Sequence, residues 1–169
     1  MSVVPWELEP ELRAAGWHHG RRVPVDSAVP EHHPAHAVLA ELGGLRLMVD
    51  DDGDQVCEVE FQSLPQKFDL VAQWEQALGT ELVGIGKNDN AHGELWIDSK
   101  GFVFGNSIIH SAFWLVGENF AVALGNLLSG DEGRPMLLES EVSAMHFGRS
   151  YSRADPEVLL ASSPEFRRS

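Results

Sequence analysis

Two histidine clusters in this sequence have the residue type that metal coordination uses most often. His18 and His19 are adjacent, and His32 and His36 are four residues apart, which would place two zinc ligands on one face of a helix. However, adjacent side chains point apart on most backbones, and Pro34 puts His32 before the helix that would hold His36. No third or fourth ligand follows at a recognisable spacing, so we predict surface imidazoles and no metal site.

The acidic run DDDGD at residues 50–54 is a second candidate for ion binding. A calcium-binding EF-hand loop needs glycine at its sixth position and a bidentate acid at its twelfth. Counted from Asp50, Gly53 falls at position 4 and Phe61 at position 12, so the spacing excludes a calcium loop. Two interpretations remain: a solvated tip of a hairpin, or a contact surface for a basic partner.

Signatures of nucleophilic or cofactor-dependent catalysis are absent from the sequence. It contains no GxSxG, P-loop, GxGxxG or HExxH motif. Cys57, the only cysteine, lies in a predicted strand without a base placed beside it by any known signature, so we expect a small buried apolar group. We therefore predict no catalytic residue and no cofactor, although a small metal-dependent hydrolase that uses the histidine-rich segment stays open as a weak alternative.

Charge is the strongest compositional signal. The 169 residues carry a formal net charge of −14, and thirteen acidic against three basic residues between positions 41 and 98 account for −10 of it. Phosphate binding needs Lys and Arg, so we expect no nucleic-acid ligand. No run of 18 apolar residues occurs, so we expect no membrane span. One cysteine and an N-terminal stretch without the features of a signal peptide favour a cytoplasmic location.

The element that organises the chain is a predicted three-stranded meander over residues 81–106. Strands are expected at 81–85, 94–98 and 102–104, with Gly101 suited to the left-handed position of the second turn. Leu95 and Ile97 would face the core, which puts Trp96 on the opposite face. We expect helices to cover that face too; if they do not, Trp96 is exposed beside two acids and could anchor a partner.

The remaining patterns predict helices and strands that pack around the meander. Helices are expected at 9–15, 34–42, 69–78 (N-capped by Asp69) and 119–128, a hairpin at 45–49 and 55–61, a strand within 107–116 and an edge strand at 136–138. The fold class is therefore α+β, with a central, mostly antiparallel sheet of about five to six strands and helices around it. We predict one domain over residues 1–139 and a loosely ordered C-terminal tail over 140–169.

Five segments occur in an order that is similar to a known family. They are LRAAGWHHGRRV at 12–23, LAELGGLRL at 39–47, ELVGIG at 81–86, ELWIDSKGFVF at 94–104 and ALGNLLSG at 123–130. In this order they resemble the third immunity-protein family of the SUKH superfamily. The interval between the first two segments is shorter here and contains prolines, and Leu42 replaces an aromatic residue before Gly43-Gly44.

The resemblance implies a bacterial cytoplasmic protein that binds and neutralises a cognate polymorphic toxin, often a nuclease or a deaminase. We expect an acidic face to cover a basic active-site cleft, and the protein to be a monomer or a weak homodimer. The runner-up is a regulatory interaction module of the same superfamily that binds a housekeeping protein. The residues that we predict for the contact face are Asp50, Asp51, Asp52, Asp54, Glu58 and Glu60, together with Trp96 if it is exposed.

Overall fold

The computed structural model describes residues 1–51, 55–88 and 92–167. Four α-helices lie in these ranges: α1 (Glu9–Ala14), α2 (Pro34–Leu42), α3 (Asp69–Leu78) and α4 (Phe120–Ser129). The strands are β1 (Arg46–Asp51), β2 (Gln55–Phe61), β3 (Leu82–Asn88), β4 (Gly93–Asp98), β5 (Val103–Ser107), β6 (Phe113–Gly117), β7 (Arg134–Leu137), β8 (Ser143–His146), β9 (Arg149–Ser152) and β10 (Leu159–Leu160). Short 3₁₀ turns at Trp6–Leu8 and Pro164–Arg167 lie near the two termini.

One open sheet of eight strands forms the centre of the fold. Its order is β1-β2-β3-β4-β5-β6-β7-β10, and every neighbouring pair is antiparallel except β7 and β10, which are parallel. β1 to β7 are thus neighbours in chain order, with β1 at one edge of the sheet, and β10 lies beyond β7 at the other edge. β8 and β9 form a separate two-stranded hairpin. The structure confirms the predicted α+β class and the three strands of the central meander.

Alternation along the strands gives the sheet two apolar faces. Leu95 and Ile97 of β4 belong to a core that includes residues of α1, α2 and α4. Trp96 belongs to a second core, in which α3 and the C-terminal segment contribute Trp74 and Phe166. The side chain of Trp74 stacks on Phe113 with ring centroids 4.5 Å apart. Helices or loops therefore cover both faces of the central strands, as the sequence predicted.

Capping residues mark the ends of the helices and the tight turn. His33 accepts a hydrogen bond from the Ala35 amide at the start of α2, and Asn119 accepts one from the Val122 amide at the start of α4. Asp98 accepts bonds from the Lys100 and Phe102 amides, each 2.9 Å long, and so fixes the turn from β4 to β5. The N-cap of α3 differs from the prediction: it is Phe68, and Asp69 lies in the first helical turn.

The GWHHGRR stretch that follows α1 ties the N-terminal segment to α2. Arg21 donates to the carbonyl oxygens of Glu41 and Gly43, at 2.5 and 2.8 Å, where α2 leaves its last carbonyls unpaired. The buried Trp17 indole donates to the Glu41 carboxylate at 3.0 Å, and that carboxylate also accepts bonds from Ser2 and the Val3 amide. This stretch therefore has a structural role.

The C-terminal segment differs from the predicted loosely ordered tail over the described part, 140–167. β10 pairs with β7, so β7 is an inner strand and not the predicted edge. Leu159 and Phe166 are buried, and Phe166 contacts Phe102 and Phe104 with ring centroids 5.4 and 5.8 Å apart. The physical reason is that the face of β5 that carries Phe104 needs an apolar cover, which a few dispersed residues of this segment supply.

Candidate partner-binding surface

The β1–β2 hairpin carries the predicted contact residues at the edge of the sheet. Met48 pairs with Glu58 and Arg46 pairs with Glu60. Because directly paired residues project from the same face, these four side chains share one side of the hairpin. The other side carries buried Leu47, which is 2% exposed. The hairpin is thus amphipathic, with a charged outer face next to the free edge of the sheet.

Basic residues partly neutralise this outer face. The Arg46 guanidinium lies 2.8 Å from a Glu58 carboxylate oxygen and 3.4 Å from one of Glu60. On the next strand Lys87 pairs with both Glu60 of β2 and Glu94 of β4. Acids and bases therefore alternate across β1 to β4. Solvent-exposed ion pairs of this kind contribute little to stability, at about 0–1 kcal/mol each, but they reduce the net field of the face.

The excess negative charge of the hairpin is therefore greatest at residues 50–54. Pairing of Asp50 with Val56 and of Asp51 with Gln55 places both aspartates at the end of β1, away from the Arg46 cluster. Asp52 and Asp54 lie outside the described residues. Asp50 and Asp51 thus lie in the same hairpin as Glu58 and Glu60. That all six acidic residues form one contact face remains a prediction.

Trp96 does not belong to this face. Its side chain is fully buried, and its indole nitrogen donates to the Asn106 side-chain oxygen at 2.7 Å. The alternative of an exposed Trp96 flanked by carboxylates is wrong, because α3 and the C-terminal segment cover this side of β4. Trp96 is therefore a core residue and cannot touch a partner on the surface.

Glu94 of β4 is paired with Lys87 of β3, on the side of Lys87 away from Glu60. Its side chain is buried, and burial raises the pKa of the carboxyl, while Asn106, Lys87 and Trp96 beside it act in the opposite direction. One carboxyl oxygen of Glu94 has no hydrogen-bond partner within the described residues. Asp98 at the other end of β4 is also buried, and burial raises its pKa against the bonds it accepts from the turn amides. Asp98 is a turn residue, since its bonds go to its own loop.

Because neighbouring strands run in opposite directions, the C-terminal ends of β1, β3 and β5 lie at the same end of the sheet. These strands end at Asp51, Asn88 and Ser107. We call this the β1–β2 end, because the β1–β2 hairpin closes there. His92 and the 108–112 connection follow at the same end. A partner that approaches the acidic hairpin from this direction also meets these residues.

The predicted histidine clusters do not assemble into a metal centre in the described ranges. His32 is exposed and His36 only partly buried, while their neighbour His33 N-caps α2 and lies 3.4 Å from the Glu81 carbonyl oxygen. Burial lowers the pKa of His33. His19 is exposed. No group of three or more His, Cys, Asp or Glu side chains with metal-binding geometry occurs among residues 1–51, 55–88 and 92–167.

Sequence reasoning missed a group of exposed apolar side chains at the β1–β2 end. Ile109 is 61% exposed, Phe147 49% and Met145 46%. Ile109 lies in the β5–β6 connection, and the other two lie in the β8–β9 hairpin. The sequence does show an apolar patch at residues 144–147 within a polar segment. Because that segment was predicted to be a loosely ordered tail, nothing in the sequence indicated that the patch lies beside β5.

Comparison with known protein families gives a match over most of the chain. The family model of the SUKH-3 immunity proteins matches residues 5–130, well over half of the chain. No curated protein and no solved structure matches. In the described parts of the chain, none of the helices has both the length and the apolar character that crossing a bilayer requires.

Proposed function

The chain belongs to the SUKH-3 immunity protein family, and from this membership we propose that it neutralises a cognate polymorphic toxin by covering the toxin's active site. A nuclease or a deaminase is the proposed toxin class, because both act on nucleic acid and need a basic cleft that an acidic surface can occupy. Neutralisation is stoichiometric and not enzymatic. In this proposal the protein acts in the bacterial cytoplasm as a monomer or a weak homodimer.

The observation that supports this proposal beyond family membership is the distribution of charge. The net charge of −14 is concentrated between residues 41 and 98, and the β1–β2 hairpin presents part of it at a sheet edge. Complementary charge accelerates association with a basic partner, while buried anchors supply most of the affinity. The proposed contact face consists of Asp50, Asp51, Asp52 and Asp54, flanked by Glu58 and Glu60.

Arg46 makes the two parts of this face unequal. Because Arg46 lies close to both Glu58 and Glu60, these three side chains together carry a net charge of only −1. Asp50 and Asp51 lie at the end of β1, and Asp52 and Asp54 follow them in the sequence with no basic residue between, so in this proposal the four aspartates attract the partner most strongly.

The test uses the toxin domain encoded beside this chain's gene, in an inhibition assay. A variant with Asp50, Asp51, Asp52 and Asp54 all changed to Asn is expected to associate about 10-fold or more slowly at low salt, with the difference shrinking at high salt. The matched control removes four exposed acids away from the hairpin, Glu7, Glu11, Glu31 and Glu118, by changing each to Gln. Equal association rates for the two variants at low salt contradict this face.

A further inference from the structure

The edge of the sheet formed by β1 is open along a whole strand. Among the described residues, no strand lies on the outer side of β1, whereas the opposite edge, β10, is only two residues long. All six residues of β1 pair with β2 in one continuous register, while the β3–β4 and β5–β6 ladders each contain a register shift. Of the features that block an edge strand, β1 lacks proline, lysine and a bulge. Its charged residues are the remaining barrier to a strand that would pair there.

The pairing of β1 with β2 determines which backbone groups face this open edge. The Phe61 amide donates to the Leu45 carbonyl oxygen at 3.0 Å, so residues of odd number in β1 turn their backbone groups toward β2. Residues of even number point the other way, because bonded and non-bonded pairs alternate along an antiparallel ladder. The N–H and C=O groups of Arg46, Met48 and Asp50 therefore project from the edge, at the spacing that another antiparallel strand requires.

An antiparallel second copy of this chain matches the β1 edge in charge as well as in hydrogen bonding. Because the same backbone groups face outward in both copies, residues of even number must pair with residues of even number. The register centred on Met48 pairs it with Met48 of the second copy and places Arg46 opposite Asp50 on both sides of the twofold axis. Opposite charges at directly opposed positions are favourable, whereas a parallel copy would bring two arginines together.

The side chains of Met48 and Arg46 are accessible to such a copy. Met48 is 60% exposed, so pairing with its equivalent at the centre of the contact would remove apolar surface of both copies from water. The Arg46 side chain is also 60% exposed, although its Nε and Nη2 lie near Glu58 and Glu60. A guanidinium has five N–H donors and can serve several carboxylates at once. Arg46 can therefore keep its contacts within β1–β2 and also attract an acid of the second copy.

The net charge of −14 opposes the association of two copies, but the register limits this repulsion. The Asp50 positions of the two copies are four residues apart along the shared ladder, about 14 Å at about 3.4 Å per residue. This separation exceeds the Debye length of about 8 Å at physiological ionic strength. The acidic ends of the two strands are therefore largely screened from each other, while each Arg46 lies directly opposite an aspartate.

We propose that the protein associates with a second copy of itself by antiparallel pairing of the two β1 strands about Met48, which joins two eight-stranded sheets edge to edge. The contact consists of one pair of short strands, so the dimer is reversible, with a Kd in the micromolar range. This assembly does not depend on a toxin. Its tests use the chain alone, so their failure would leave the proposed function untouched.

The first experiment is sedimentation equilibrium of the full chain at concentrations from about 10 µM to about 1 mM. We expect the mean mass to rise with concentration toward twice the mass of one chain. A chain that stays monomeric over the whole range would overturn the proposal and leave the β1 edge to a strand of another protein.

The second experiment changes Met48→Pro, which removes the N–H at the centre of the contact. No hydrogen bond between β1 and β2 is lost, because the Met48 backbone faces away from β2. The dimer Kd is expected to rise about 10-fold or more, with a thermal midpoint close to that of the wild type. Met48→Leu is the matched control, since it keeps the N–H and a similar volume, and its Kd should stay within about 3-fold of the wild type. Equal dimerisation of both variants would overturn the proposal.

The third experiment tests the register by exchange of charge. Arg46→Asp and Asp50→Arg each place like charges opposite each other in both cross-strand pairs, so each variant alone is expected to dimerise more weakly than the wild type. An equimolar mixture restores opposite charges in both pairs, and its Kd is expected to be about 10-fold or more below that of either variant alone. A mixture that associates no more tightly than its components would refute this pairing. The proline and charge variants are independent, so if one set does not fold the other still decides.

Discussion

Glu41 has the clearest energetic role of any single residue in this chain. Its carboxylate is buried and accepts bonds from Ser2, the Val3 amide and the Trp17 indole, with the Arg22 guanidinium 3.6 Å away. Burial alone would raise its pKa, but these bonds and the positive charge outweigh burial, and the pKa is lowered. The ionised form therefore stabilises the connection between the N-terminal segment and α2.

Glu41→Gln is expected to reduce the free energy of unfolding by about 1–3 kcal/mol near neutral pH, because three donors lose a charged acceptor. A lowered folded-state pKa gives stability that is present above the usual glutamate value of about 4.3 and lost as pH falls through the folded-state value. The gap between wild type and variant should thus close on acidification. Urea unfolding at several pH values measures it, with exposed Glu7→Gln as the control; a gap that is the same at every pH would contradict this role.

Predictions for single residues were correct where neighbouring residues in the sequence determine the position of a side chain. They were incomplete where the register between two paired strands determines which side chains meet. Alternation in 94–98 correctly separated Trp96 from Leu95, and Pro34 correctly placed His32 before α2. That Arg46 neutralises Glu58 and Glu60 follows only from the register of β1 against β2, which the hydrophobic alternation of the two strands does not determine by itself.

At the scale of elements, the C-terminal segment shows most clearly what sequence patterns leave out. The helices and strands up to residue 130 show a clear hydrophobic periodicity, and they were predicted. β10 has two residues and pairs with β7, more than 20 residues earlier, so it has no measurable period. The turn between β8 and β9 lacks the Asn-Gly pair that normally marks such hairpins.

Phe166→Ala tests whether this segment is part of the fold. Phe166 is 6% exposed and packs on Phe102 and Phe104, so removal of its ring is expected to cost about 3 kcal/mol in the free energy of unfolding. Chemical denaturation of the full chain measures this loss. Exposed Val142→Ala should change stability by less than about 0.5 kcal/mol. A loss for Phe166→Ala no larger than for that control would mean that the segment does not cover β5.

On the scale of the whole molecule, the covered centre of the sheet is separate from the end that we propose as the partner-binding surface. Its central strands are covered on both faces, whereas its β1–β2 end exposes the acidic hairpin, His92 and the apolar side chains of the β8–β9 hairpin. The charged part of this end was predictable from composition. The apolar part was not, because it forms only when residues 107–114 and 145–148 meet in space.

The measurement that tests the central claim most directly is a titration of the neighbouring toxin domain's activity with this chain. We predict that activity falls linearly and ends at one equivalent of chain, and that added toxin substrate slows the onset of inhibition, because both compete for one cleft. Full toxin activity in the presence of excess chain would contradict neutralisation. Complete inactivation by far less than one equivalent would contradict the stoichiometric mechanism and point to an enzyme.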